Sequence, residues 1–340
     1  MHTAVPVIDV APFLGGSAVG RRGVSAQVGR ACADVGFFSI VGHDVPADLV
    51  ATMVQASRAF FDLPLEEKLQ VERPKPEQSR GYVGVGDEHL AYSRGDAGAT
   101  DLKEFFAIGP IDVPDEEYYR RREAYPSFAP NVWPERPADF RDAWTRYYRA
   151  MESLAGGVMR MFALALELPD DFFRDKTDRH ISGLRVLNYP AQPSAPLPGQ
   201  LRAGPHTDYG AVTILTSDGA AGGLEVQNRR GEWMAVASEP DAFVLNIGDL
   251  MQRWTNDRWT STLHRVVNPP RAAALGSRRQ SIVFFHQPNY DAVVECLPSC
   301  CGRGNPPRYP PVTSGEHRLA KFLKGVGAVP PLGAPLPTAR

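Results

Sequence analysis

His206-Thr207-Asp208 sets an imidazole and a carboxylate two positions apart. A second histidine, His264, follows inside the amphipathic run Arg258-Trp259-Thr260-Ser261-Thr262-Leu263-His264-Arg265-Val266-Val267. In extended backbone residues i and i+2 project to the same side, so His206 and Asp208 can share one metal ion. A lone His-x-Asp turns up by chance in many chains, most often as a polar turn, and it is the second histidine that gives this one weight. Two histidines and one carboxylate occupy one face of an Fe(II) octahedron and leave three positions for O2 and an organic chelator. Neither a structural zinc site nor a calcium site calls for that set.

Shortly after His264 comes Arg279-Gln280-Ser281-Ile282-Val283-Phe284-Phe285. As a strand it points Arg279 and Ser281 the same way from an apolar wall. Taken alone, Arg279 reads as a surface residue at a strand start; its place so soon after His264 argues for an inward one. An arginine facing a barrel interior is costly unless an anion meets it, and its fork suits a carboxylate held by two hydrogen bonds. A dicarboxylate such as 2-oxoglutarate would serve both ends of such a site, its 2-oxo acid on iron and its far carboxylate on Arg279 and Ser281.

These residues need a scaffold. Val24 to Asp34, Ala47 to Leu63 and Pro137 to Leu168 carry helical periodicity, with Gly36 placed as a C-terminal cap and a strand expected over Phe37 to Val41. The aromatic and Met stripe of the long third helix reads as core. From Ile181 the texture turns to short β-rich runs: Gly183 to Asn188, Ala211 to Thr216, Leu224 to Gln227, Trp233 to Val236, Phe243 to Ile247, Trp259 to Asn268 and Gln280 to His286. The expectation is a mainly β fold with α elements, a jelly-roll core flanked by N-terminal and support helices. Residues 1–120 form a mixed N-terminal region packed on the barrel, 121–324 the catalytic core with its support helix, and 325–340 a Pro/Gly-rich mobile tail. The Gly-, Pro- and Ser-rich stretch from Arg73 to Thr100 reads as loops and short strands, part of a lid.

Lys plus Arg number 37 against 39 Asp plus Glu, which gives no charge excess for nucleic acid or an anionic membrane and leaves a small molecule as the expected partner. The N-terminus lacks the pattern of a secretory signal and no apolar run approaches ~18 residues. A cytoplasmic protein is expected, with a monomer favoured. Cys296, Cys300 and Cys301 cluster in a Pro/Gly-rich loop without a C-x-x-C pair and read as reduced loop thiols rather than a zinc site.

Over nearly its whole length the chain resembles the isopenicillin N synthase and plant-type branch of the 2-oxoglutarate and Fe(II)-dependent oxygenases. The resemblance rests first on Pro6-Val7-Ile8-Asp9, Gly36-Phe37-Phe38 with His43, Phe60-Phe61-Asp62-Leu63-Pro64, Glu66-Glu67-Lys68 and Arg80-Gly81-Tyr82. In the second half it rests on Asn188-Tyr189-Pro190, His206-Thr207-Asp208-Tyr209-Gly210, Gly223-Leu224-Glu225-Val226, Asn246-Ile247-Gly248-Asp249, Leu263-His264-Arg265-Val266 and Arg279-Gln280-Ser281. It implies a double-stranded β-helix, iron ligands at His206, Asp208 and His264, and 2-oxoglutarate contacts from Arg279, Ser281 and Tyr189, with O2 as oxidant. Where the plant enzymes continue with Cys-Pro after Tyr-Pro, this chain has Ala191-Gln192-Pro193, as expected of a microbial branch.

Within the resemblance three activities stay open: 2-oxoglutarate-coupled oxidation of a natural-product intermediate or amino-acid derivative, oxidative cyclisation without 2-oxoglutarate, and ethylene formation. A metal-binding sensor is the reading from another class. Candidate substrate contacts are Arg80, Tyr82, Phe105, Arg185 and Phe285. If Arg80 or Arg185 faces the iron, a carboxylate-bearing substrate follows.

Overall fold

The computed structural model describes residues 5–88, 90, 99–220 and 222–325. Twelve strands build two sheets around the site. They are β1 (Val7–Asp9), β2 (Phe37–Val41), β3 (Gly81–Val83), β4 (Glu104–Ile108), β5 (Gly183–Tyr189), β6 (Ala203–His206), β7 (Val212–Ser217), β8 (Leu224–Gln227), β9 (Trp233–Ala235), β10 (Phe243–Ile247), β11 (His264–Val266) and β12 (Arg279–His286). The large sheet runs β1-β2-β10-β7-β12-β5-β4-β3 and the small one β6-β11-β8-β9.

The period-2 alternation of β5, β7 and β12 sorts their side chains between two cores. Leu187, Leu215 and Val283 meet Ala203, Leu224, Val226 and Val266 of the small sheet, so the two sheets face each other across an apolar layer, as in a jelly roll. Leu184, Val186, Ile214, Ile282 and Phe284 point the other way, toward the helices. There the helix Phe140–Ala165 lies along the sheet with Tyr148 edge-on to Phe284 at 5.2 Å and Trp144 edge-on to Phe106 at 5.2 Å. This is the support helix expected over 137–168, trimmed at both ends.

Residues 1–120 do more than pack on the barrel, since β1 to β4 supply both flanks of the large sheet. β4 escaped notice because both its faces are buried, which removes the alternation that marks a strand. The helix expected from Val24 begins at Ala18, where the Ser17 hydroxyl accepts from the Gly20 N–H at 3.0 Å. After it, Gly36 takes φ +73° and its N–H donates to Ala31 O; a Cβ there would lie 2.2 Å from Thr260 O.

The strand expected over Trp259 to Asn268 shrinks to His264–Val266. Ser261 N–H donates to Gln252 Oε1 at 2.6 Å and the Thr262 hydroxyl to Val35 O at 2.5 Å, so the preceding residues find partners outside any ladder. Two further helices, Asp249–Trp254 and the C-terminal Ser314–Gly325, were not foreseen. The lid expectation falls partly, and the tail expectation after Gly325 wholly, outside the described residues.

Candidate active site

The antiparallel pairing of β6 with β11 sets His206 directly opposite His264, with ring centroids 4.3 Å apart. Asp208 follows β6, and its Oδ1 lies 4.0 Å from His206 Nε2 and 3.7 Å from His264 Nε2. One donor atom from each of the three falls within 4.8 Å of the others, close enough for a single ion.

The second atom of each group is already committed. His206 Nδ1 is 2.8 Å from Gly204 O and His264 Nδ1 3.0 Å from Thr262 O. A carbonyl only accepts, so each Nδ1 keeps its proton and each Nε2 is the ring atom left to face the centre. Asp208 Oδ2 accepts from the Thr213 hydroxyl and the Asn246 amide, both at 2.6 Å, which leaves Oδ1 for a metal. Burial, then the neighbouring His264, pushes the His206 imidazole down to about 4 despite the opposing pull of Asp208, so the ring is neutral at physiological pH. Two imidazoles and a carboxylate, each oriented through its outer atom, fit a divalent transition metal.

Across the cavity, β12 pairs with β5 so that Arg279 lies opposite Tyr189 and Ser281 opposite Leu187. The buried Arg279 guanidinium stands 5.3 Å from the Tyr189 ring centroid and donates to Ser281 Oγ. These groups and the metal triad open onto one cavity of ≈ 1210 Å³, its mouth included.

The expected substrate contacts divide. Arg185 and Phe285 line the cavity. Phe105 does not; it lies 4.0 Å beneath the Arg185 guanidinium. Arg80 and Tyr82 are not among the lining residues either. Arg80 donates to Ala129 O, Ser127 O and Ser79 O, and the Tyr82 hydroxyl donates to Glu104 at 2.6 Å beside Lys68, so both are spent on the scaffold. Missing from the sequence reading were Glu88 and, from the C-terminal helix, Arg318 and Phe322, all of which line the cavity. Burial alone would raise the Glu88 carboxyl, but Arg185 and Lys103 hold it at about 2.

Residues 181–288 match the 2OG-Fe(II) oxygenase superfamily, and residues 5–136 match the N-terminal region of the non-haem dioxygenases named for morphine synthesis. The chain is 36% identical to the 2-oxoglutarate-Fe(II) type oxidoreductase hxnY of Emericella nidulans, over 96% of its own length and 91% of the relative's. The chain belongs to the 2-oxoglutarate and Fe(II)-dependent oxygenases. A homoarginine-6-hydroxylase of Oryza sativa is 34% identical over 94% of this chain and 97% of its own. Among solved structures the oxygenase is similar to a full-length Neurospora crassa protein in complex with alpha-KG, with a TM-score of 0.81, 29% identity, and coverage of 95% of this chain and 97% of that one. The oxygenase therefore works with Fe(II), 2-oxoglutarate and O2, as the motifs implied, and the relatives do not favour the cyclase, ethylene-forming or sensor readings.

Proposed function

We propose that the oxygenase holds Fe(II) through His206, Asp208 and His264, anchors the far carboxylate of 2-oxoglutarate through Arg279 and Ser281 beside Tyr189, and oxidises a small natural-product intermediate or amino-acid derivative. The observation that carries this reading is that the three donor atoms and the Arg279–Ser281 pair open onto the same cavity. When bound, iron and 2-oxoglutarate supply an O2-derived oxidant as the co-substrate is converted to succinate and CO2. The chain's own residues do the positioning. Gly204 O and Thr262 O fix the two histidines, Thr213 and Asn246 fix Asp208, and Ser281 steadies the Arg279 fork. Apolar Leu187, Leu215 and Val283 line the space between, which keeps water away from the reacting region.

The named ligands of similar proteins, homoarginine for the rice hydroxylase and thymine in a complex of the Neurospora crassa protein, support a small polar substrate. Four free cysteines suit a cytoplasmic protein. We take it to act as a monomer, for which size-exclusion chromatography is the check. The central test is an anaerobic titration of the Fe(II) protein with 2-oxoglutarate, followed by absorbance and then by succinate released per O2 consumed. A charge-transfer band and one succinate per O2 are expected; absence of both the band and 2-oxoglutarate consumption would overturn the assignment.

A further inference from the structure

The C-terminal helix Ser314–Gly325 reaches back over the cavity, and its docking sets which side chains enter. Its start is tied by the Ser314 N–H to Ala292 O at 3.0 Å and by the Gly315 N–H to Tyr290 O at 2.8 Å. Along one stripe, His317 and Lys321 approach Asp249 Oδ2 at 3.8 and 2.9 Å. Asp249 in turn donates its N–H to Asp208 O at 2.8 Å, so the helix is anchored to the segment that carries a metal-ligand candidate. The next positions round the helix, Arg318 and Phe322, are i and i+4 neighbours and both face the cavity.

Arg318 is conspicuous for what it lacks. Among the described residues it has no hydrogen-bond acceptor and no carboxylate partner, although it lines a cavity walled by Leu187, Val283, Phe285 and Phe322. The other charges at this end cancel. Glu88 pairs with Arg185 at 3.0 Å and with Lys103 at 3.0 Å, and Lys103 also holds Asp101 at 2.6 Å: two cations against two anions. Arg185 is further bound to Ser79 Oγ and stacked on Phe105. Arg73, outside the lining, acts on Glu88 and Arg185 electrostatically and is itself opposed by Asp87 and Glu72.

On the proposed reading of the centre, an Fe(II) ion is balanced by Asp208 and one carboxylate of 2-oxoglutarate, and Arg279 by the other. That leaves the Arg318 charge unmatched. Burial, then the Arg185 guanidinium, lowers Arg318 to about 10, so it stays a cation at neutral pH. A guanidinium facing a cavity and partly shielded from water is stabilised there when an anion meets it.

We propose that Arg318, backed by Arg185, is the specificity determinant for a substrate bearing a single carboxylate, whose apolar body lies against Phe285, Val283 and Phe322. This rests on the iron and 2-oxoglutarate reading above. A fork with two parallel donors recognises a planar carboxylate and finds no second acceptor of equal strength in the corresponding amide. Selection between an acid and its amide follows from the charge left over in the wall.

The test uses the full-length Fe(II) protein with 2-oxoglutarate and matched probes: benzoate, phenylacetate, cyclohexanecarboxylate and decanoate, each beside its primary amide. Acids, and not amides, are expected to perturb the charge-transfer band and to raise succinate formation at millimolar or lower concentration. Arg318→Gln should raise the apparent Kd for the acids at least roughly 30-fold, while the 2-oxoglutarate band persists. Arg318→Lys should restore part of the acid preference. Because Arg318 makes no hydrogen bond or ion pair among the described residues, circular dichroism should show both variants folded.

Equal response to acids and amides, no response to any of the acids, or an acid Kd that stays within threefold in Arg318→Gln would each overturn the proposal. Failure of the underlying reading has a separate signature, the absence of the 2-oxoglutarate band in the unaltered protein.

Discussion

Thr213 and Asn246 sit opposite each other on β7 and β10 and donate to the same oxygen, Asp208 Oδ2. The pair leaves the other carboxylate oxygen available to a metal. Thr213→Val keeps the shape and deletes one donor, and partners of this kind are worth about 10–100-fold in metal affinity. Fe(II) titration under anaerobic conditions should show a loss of that size; an unchanged affinity would detach Thr213 from the metal's support.

The three candidate ligands themselves should be less forgiving. His206→Ala, Asp208→Ala and His264→Ala are each expected to abolish turnover, because a site with three protein donors has none to spare. Asp208→Glu should fail or nearly so, since an added methylene moves the carboxylate by over about 1 Å. Metal analysis and oxygen uptake read both effects, and near-normal activity in two of the alanine variants is the contrary outcome.

Arg279→Gln should raise the apparent KM for 2-oxoglutarate far more than it weakens iron binding. Removing one partner of a buried charge-assisted pair costs about 2–5 kcal/mol, or roughly 30-fold to several-thousand-fold in affinity. Arg279→Lys should be tolerated only in part, because an ammonium keeps the charge without the planar two-pronged contact. A 2-oxoglutarate dependence equal to that of the unaltered enzyme would move Arg279 out of the co-substrate site.

Arg80 makes the opposite prediction. Its guanidinium holds three backbone carbonyls away from the cavity, so Arg80→Met should destabilise the fold by about 2–5 kcal/mol through unsatisfied acceptors. The KM for 2-oxoglutarate should stay put. Urea unfolding alongside steady-state kinetics separates the two, and a raised KM at full stability would return Arg80 to the list of substrate contacts.

Glu88 carries a pH signature. Its folded pKa of about 2 lies below the ordinary 4.5, so its contribution to stability is present above about pH 4.5 and is lost as the pH falls toward 2. Above about pH 4.5 that contribution is on the order of 3 kcal/mol. Glu88→Gln should therefore be less stable at neutral pH and show a shallower loss on acidification. Unfolding curves from pH 7 to 3 that run parallel for both proteins would refute the assignment.

How much of this was legible beforehand differs residue by residue. His206, Asp208, His264, Arg279 and Ser281 stood out because few other jobs demand those types at those spacings, and strand geometry then dictates their direction. Arg80 and Arg185 looked alike as sequence. Which one meets the cavity depends on register and alternation: Arg185 shares the inward parity of Leu187 and Tyr189 on β5, whereas Arg80 precedes β3 and turns toward the loop at Ser127 and Ala129. Thr213 and Asn246 are ordinary strand residues until β7 and β10 are laid side by side. Arg318 carried no local signal at all, since its place in the cavity lining comes from a helix that returns to the barrel mouth through the Asp249 contacts. Local patterns announce chemistry and periodicity; they are silent about which distant segments meet.

The large sheet has a temporal consequence. Phe37 to Asn246 is one ladder partnership and Phe38 to Leu245 the next, so β2 has its neighbour far downstream in the chain. A ribosome adding roughly 5–20 residues per second needs about 10–40 s to make β10 after β2. Throughout that interval Phe37-Phe38-Ser39-Ile40-Val41, buried along almost its whole length in the finished protein, can pair with β1 on one edge but has its other edge open. The nascent chain thus carries an apolar strand with one open edge for most of its own synthesis, and slowing translation should increase its dependence on chaperones.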